Sequence, residues 1–228
     1  GAWIRRHGRE GLVLASKVAG PGRRDWIRGG RTDLTRAAIA EAVELTRRRL
    51  GVDVIDLYQI HWPQRNFATI AGRPFDPAEE NGGPSIREQV EGMAAMIDAG
   101  RIRYWGLSNE TSWGVCEFRR VAGELSVPPP VTLQNSASLV SRSADGDLAE
   151  VLYRESMSLL AYSPLAGGLL TGKTQSVEGS RTAQVEGEYG MRVSDGQIFR
   201  DFSALCKELG ETESVVAIAW TLHQTAVT

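Results

Sequence analysis

The chain has 228 residues, of which 42% are hydrophobic and 24% charged, with 26 Lys and Arg against 28 Asp and Glu. Folding a chain of that length hides roughly 70% of its surface, enough for one sizeable core, and a net charge of -2 leaves no electrostatic footprint for nucleic acid or an anionic membrane. Two cysteines exclude a disulfide scaffold or a cysteine-held metal cluster, so Cys116 and Cys206 are read as buried thiols of a reducing cytoplasm.

Trp3 to His7 read as the last turn of a helix, and Ala226-Val227-Thr228 as a strand beginning. Both ends are therefore expected to fall inside secondary structure of a longer chain, since boundaries normally lie in exposed linkers. The apolar run 12–17 between Gly11 and Gly20 predicts a buried strand. A helix follows over about 36–50, with Ile39, Ala42, Val43 and Leu50 in period, Thr35 as N-cap, Arg47 to Arg49 in the last turn and Gly51 as the stop. The next strand covers 53–61 and ends before Pro63. The helix 86–99 opens on Ser85 and Glu88, the two ends of a capping box. Strands at 103–108, 131–135 and 159–163 then alternate with helices near 112–124 and 146–155. Two further helices fall around 195–209 and 214–223, and no apolar run approaches the roughly 20 residues of a membrane helix.

Parallel strands joined by helices predict an α/β fold, either a doubly wound sheet or a (β/α)8 barrel. Five strands and the stub at Val227 fit about six of eight barrel units, so 1–228 is read as one incomplete barrel domain. The long connections 62–84 and 166–194 both follow a strand, which in a barrel places them over the C-terminal face. The unusual polar residues also fall at strand ends. Lys17 closes the first strand, His61 the second, Ser108-Asn109 the third, Gln134-Asn135 the fourth and Tyr162-Ser163 the fifth. A barrel gathers such residues around one rim.

The segments Arg49-Leu50-Gly51-Val52-Asp53-Val54-Ile55-Asp56-Leu57-Tyr58-Gln59-Ile60-His61-Trp62-Pro63, Gly106-Leu107-Ser108-Asn109 and Ala161-Tyr162-Ser163-Pro164-Leu165-Ala166-Gly167-Gly168 resemble the aldo-keto reductase superfamily. The resemblance is closest to the branch of bacterial oxidoreductases and potassium-channel β subunits. It implies a (β/α)8 TIM barrel that binds a nicotinamide cofactor without a GxGxxG motif, and none occurs here. It also implies an Asp-Tyr-Lys-His tetrad in which Lys17 is the lysine and His61 the histidine. An ammonium beside a phenol favours the phenolate and lowers its pKa, and a neutral imidazole can polarise a carbonyl.

By the same resemblance Ser108, Asn109 and Gln134 hold the nicotinamide carboxamide and Tyr162 stacks on the ring. Ser163, Pro164, Leu165 and Gly168 line the pyrophosphate, with Lys173 and Arg181 as its charge partners. The tetrad's Asp and Tyr lie upstream of this sequence. Tyr58 points to the wrong face by strand alternation, Tyr104 begins its strand, Tyr153 lies in a helix and Tyr189 in a loop, so none replaces the acid.

Gly167 to Thr174 also matches GxxxxGK[ST], the P-loop pattern. That motif needs a helix starting at its Lys-Thr, and the residues after Thr174 carry no apolar period. A nucleoside triphosphatase is therefore the weakest reading. The leading one is an NADP-dependent reductase of small carbonyl compounds, with NAD left open because the groups that read the ribose phosphate lie beyond Thr228. A non-catalytic, cofactor-binding regulatory subunit is the alternative. No metal site is read, no nucleic acid or membrane partner is expected, and oligomeric state is not legible.

Overall fold

The computed structural model describes residues 1–21, 26–67, 74–80, 82–172, 178–180, 182–183, 196–224 and 226–227. Five parallel strands form one sheet in sequence order: β1 (Ala15–Val18), β2 (Ile55–Ile60), β3 (Ile102–Ser108), β4 (Thr132–Gln134) and β5 (Ser158–Leu159). A parallel bridge between Leu159 and Val227 continues the series. A short helix α1 (Ala2–His7) precedes the sheet. Helices α2 (Arg36–Leu50), α3 (Ile86–Asp98), α4 (Ser112–Leu125) and α5 (Asp147–Arg154) connect successive strands, and α6 (Gln197–Leu209) and α7 (Glu213–Leu222) follow β5. Consecutive strands that are neighbours and joined by helices form part of a (β/α)8 barrel wall, as expected.

The helices form where local chemistry supplies their caps. Thr35 Oγ1 accepts from the Ala38 amide and Gly51 closes α2. Ser85 Oγ accepts from the Glu88 amide, which is half of the expected capping box. The other half is not made, because Glu88 Oε1 accepts from the Arg36 amide instead and ties the start of α3 to that of α2. Buried residues Ile39, Val43, Val90, Met93, Val115, Phe118, Val121 and Leu152 line the inner sides of α2 to α5. They meet Val18, Tyr58, Ile60, Trp105, Leu107 and Leu133 from the strands. Tyr58 illustrates the facing: its hydroxyl lies 3.4 Å from Thr46 Oγ1 on α2. Leu57, Gln59, Tyr104 and Gly106, paired across β2 and β3, alternate with those residues and occupy the opposite face.

Three expectations are corrected. The first strand begins at Ala15, and Val13 is 79% exposed. Ladder bonding to β2 starts only at Leu14, whose carbonyl accepts from the Asp56 and Leu57 amides. The fifth strand is regular only over Ser158–Leu159: beyond it the Leu160 and Tyr162 amides still donate to the Leu133 and Asn135 carbonyls, and Tyr162 bridges Ser136. Cys206 is buried but Cys116 is exposed, because it falls between Val115 and Phe118 and off the apolar stripe of α4.

The lower end of the sheet is held by charge. Asp56 Oδ2 accepts from Arg9 Nη2 and from the Leu14 amide, both at 2.8 Å, and Oδ1 lies 2.9 Å from Arg103 Nη1. Removing the carboxylate strands the part-buried Leu14 amide, while water reaches much of Arg103 and part of Arg9. Asp56→Ala is expected to lower stability by about 1–3 kcal/mol, read as a lower urea midpoint at unchanged slope. A midpoint equal to wild type would show that the three partners are satisfied by water instead.

Candidate active site

The sheet register brings the polar strand ends together. Lys17 pairs with Gln59 and Ser108 with Gln134, while the His61 amide, one residue beyond β2, donates to the Val18 carbonyl. Parallel strands in register present their C-terminal ends side by side, so one rim carries Lys17, His61, Ser108, Asn109, Gln134 and Tyr162.

Hydrogen bonds then lock that rim. Asn109 lies just past β3 with φ +56°, a left-handed conformation that Asn tolerates better than most residues. Its Nδ2 donates to the His61 carbonyl at 2.9 Å and to Ser108 Oγ at 3.2 Å. Its Oδ1 accepts from the Tyr162 hydroxyl at 2.7 Å. The Gln134 carbonyl receives both the Ser108 hydroxyl (2.9 Å) and the Asn109 amide (3.0 Å). The ends of β2, β3, β4 and β5 are thus joined through one buried asparagine.

The chemistry of this set fits a nicotinamide carboxamide. Both amide hydrogens of Asn109 are engaged within the protein, so Asn109 and Ser108 can offer only remaining acceptor lone pairs, which suit a carboxamide NH2. The half-buried side-chain amide of Gln134 makes no hydrogen bond among the described residues, so its NH2 can serve the carboxamide oxygen. Beyond Tyr162, the Ser163–Leu165 turn has Ser163 at φ +56° and leads into a 3-10 turn over Ala166–Gly168. Pro164 and Leu165 lie within this reversal, and the Leu165 carbonyl accepts from the Gly168 and Leu170 amides. Gly168 has φ +109°, and a Cβ there would sit 2.6 Å from Thr182 Oγ1, so only glycine fits where these two parts of the loop meet. Lys173, Arg181 and Tyr189 lie outside the described residues, as does the start of the helix a P-loop would need.

Burial pushes the Lys17 ammonium below its ordinary pKa, and Lys17 has no ion-pair partner among the described residues. Burial also pushes the Tyr58 phenol up to about 12, the wrong direction for an acid at neutral pH. Tyr104 lies toward the opposite end of β3, 59% exposed, and Tyr153 is exposed on α5. None of these tyrosines stands at the rim. Sequence reasoning missed two groups there. Gln59, buried, donates to the Leu107 carbonyl at 3.2 Å, and its alternation with Tyr58 was a usable signal. Arg65 and the buried Glu110 form a part-buried ion pair at 2.7 Å; they are 45 residues apart and no local pattern announces them.

Among the described residues no helix is long and apolar enough to cross a membrane, and no group of His, Cys, Asp and Glu is arranged for a metal ion. The Aldo/keto reductase family matches residues 1–228. The protein Tas of Escherichia coli is 42% identical over 176 residues, covering 76% of this chain and 51% of Tas. An aldo-keto reductase of Babesia bovis is 35% identical over 71% of this chain and 61% of its own length. The uncharacterized oxidoreductase YrpG of Bacillus subtilis is 32% identical over the whole chain and 65% of its own length. The chain thus spans about half to two thirds of the length of these relatives. A parallel strand-helix series with its polar residues gathered on one rim, matched from end to end by one family, makes this chain a member of the aldo/keto reductase family.

Proposed function

We propose that the protein carrying this chain reduces small aldehydes or ketones to alcohols with NADPH, and that residues 1–228 form part of one barrel domain. The supporting observation is the rim itself, where Asn109 ties His61, Ser108 and Tyr162 into one hydrogen-bonded unit. When bound, the nicotinamide supplies a hydride to the carbonyl carbon. Ser108, Asn109 and Gln134 take its carboxamide, and the Tyr162 ring stacks on it and sets the face presented. Ser163, Pro164, Leu165 and Gly168 form the turn under the pyrophosphate, with Lys173 and Arg181 as charge partners. His61 donates a hydrogen bond to the carbonyl oxygen. Lys17, with its desolvated ammonium, lowers the pKa of a phenol acid that lies in the part of the family's length this chain does not cover.

The test is steady-state NADPH consumption by the full-length protein with a nitrobenzaldehyde, run beside NADH. Sustained consumption with alcohol formed in equal amount is expected, faster with NADPH. The alternative reading is cofactor binding without catalysis. Saturable NADPH binding with no alcohol formed would establish that second reading and overturn the first.

A further inference from the structure

We propose that Arg65 and Glu110 are a positioning pair for His61, an inference that rests on the reductase reading above. Glu110 follows Asn109 directly, and its side chain is only 2% exposed. Its carboxylate takes both prongs of the Arg65 guanidinium, Nη1 to Oε1 at 2.8 Å and Nη2 to Oε2 at 2.7 Å. Oε2 also accepts from the Thr111 amide at 2.8 Å, and Arg65 Nη2 reaches Thr111 Oγ1 at 3.1 Å. The guanidinium lies 4.8 Å over the Trp113 ring, and the Glu110 carbonyl accepts from Asn135 Nδ2 at 2.9 Å. Two-pronged pairing fixes orientation as well as distance.

The pair closes a small ring of contacts around His61. Arg65 stands four residues after His61 on the same loop, Glu110 stands one residue after Asn109, and Asn109 Nδ2 holds the His61 carbonyl. The loop carrying His61 is therefore fastened to the end of β3 twice, once by a backbone acceptor and once by a two-pronged ion pair on the buried Glu110. Gly114 makes room for it: a Cβ there would lie 2.0 Å from Glu110 Oε2 and 2.6 Å from Arg65 Nη2. A group that polarises a carbonyl must be held to a fraction of an ångström, and small misplacements are costly in rate.

The test uses the full-length protein and NADPH with a nitrobenzaldehyde. Glu110→Gln and Arg65→Met are each expected to lower kcat about tenfold or more, with the aldehyde KM changed less than about threefold and NADPH still bound. The double variant is expected to lose no more than the worse single, because both remove one interaction. Arg65→Lys, which keeps the charge but not the fork, is expected to recover part of the loss and guards against a misfolded Arg65→Met. Gly114→Ala, which keeps both charged residues in the sequence, is expected to reproduce the fall in kcat by displacing the carboxylate. Single variants at wild-type kcat, or losses that add in the double variant, overturn the positioning role alone. A wild-type protein that binds NADPH but forms no alcohol overturns the reductase reading, and this role with it.

Discussion

Lys17→Met in the full-length protein is expected to lower kcat by about 100-fold or more, the usual scale for disabling acid-base chemistry, with NADPH binding retained. The residue lies one position before the end of β1, pairs with Gln59 and is desolvated enough to hold its ammonium below its ordinary pKa. The sign of the stability change carries separate information. A folded-state pKa below the unfolded value means the native state binds the proton less tightly. The charge then costs stability at every pH below the folded pKa, and the cost fades as pH rises from there to the unfolded value. Removing an unpaired, half-buried charge is therefore expected to leave the neutral-pH melting midpoint unchanged or higher. A midpoint that falls would reveal a carboxylate counter-ion supplied from outside the described residues. Unchanged kinetics would sink the role given to Lys17.

The largest loss of stability is expected at Trp105. The ring is 1% exposed, meets Phe118 edge-on with centroids 6.0 Å apart and donates its indole N–H to the Pro128 carbonyl at 2.8 Å. Trp105→Ala removes a large apolar group, leaves a cavity and strands an acceptor, for a cost of about 3–5 kcal/mol. Its neighbour Tyr104 is on the other face and 59% exposed. In a closed barrel that face is the interior, so the cost of Tyr104→Ala reads how far the inner layer is packed at this end of β3. Chemical denaturation of the two variants side by side reads the alternation of β3 directly. Equal losses would mean that the face opposite the helices is also packed.

Much of this architecture could be read before any coordinates. The limits of α2 and α3 were legible because caps act within four residues: Thr35 on Ala38, Ser85 on Glu88. The placing of Lys17, His61, Ser108, Asn109, Gln134 and Tyr162 at strand ends was legible for a related reason. Strand alternation and turn residues locate the end of a strand, and a parallel sheet in register then brings the ends together.

What the linear pattern left undecided depends on partners far along the chain. β1 begins at Ala15 rather than Leu12, because a strand extends only as far as its neighbour pairs with it. Glu88 bonds to Arg36 rather than closing its own capping box, since a helix packed alongside offered a competing donor. Cys116 is exposed because the rotation of α4 against the sheet, not hydrophobicity, chose its buried stripe. The pair of Arg65 with Glu110, and the bonds of Asn109 to His61 and Tyr162, join residues between 45 and 53 positions apart. Local propensity acts over a turn or two and so sets where elements lie. Which buried donor meets which acceptor is settled only when those elements pack, because each polar group then takes the partner that spares it an unpaired burial.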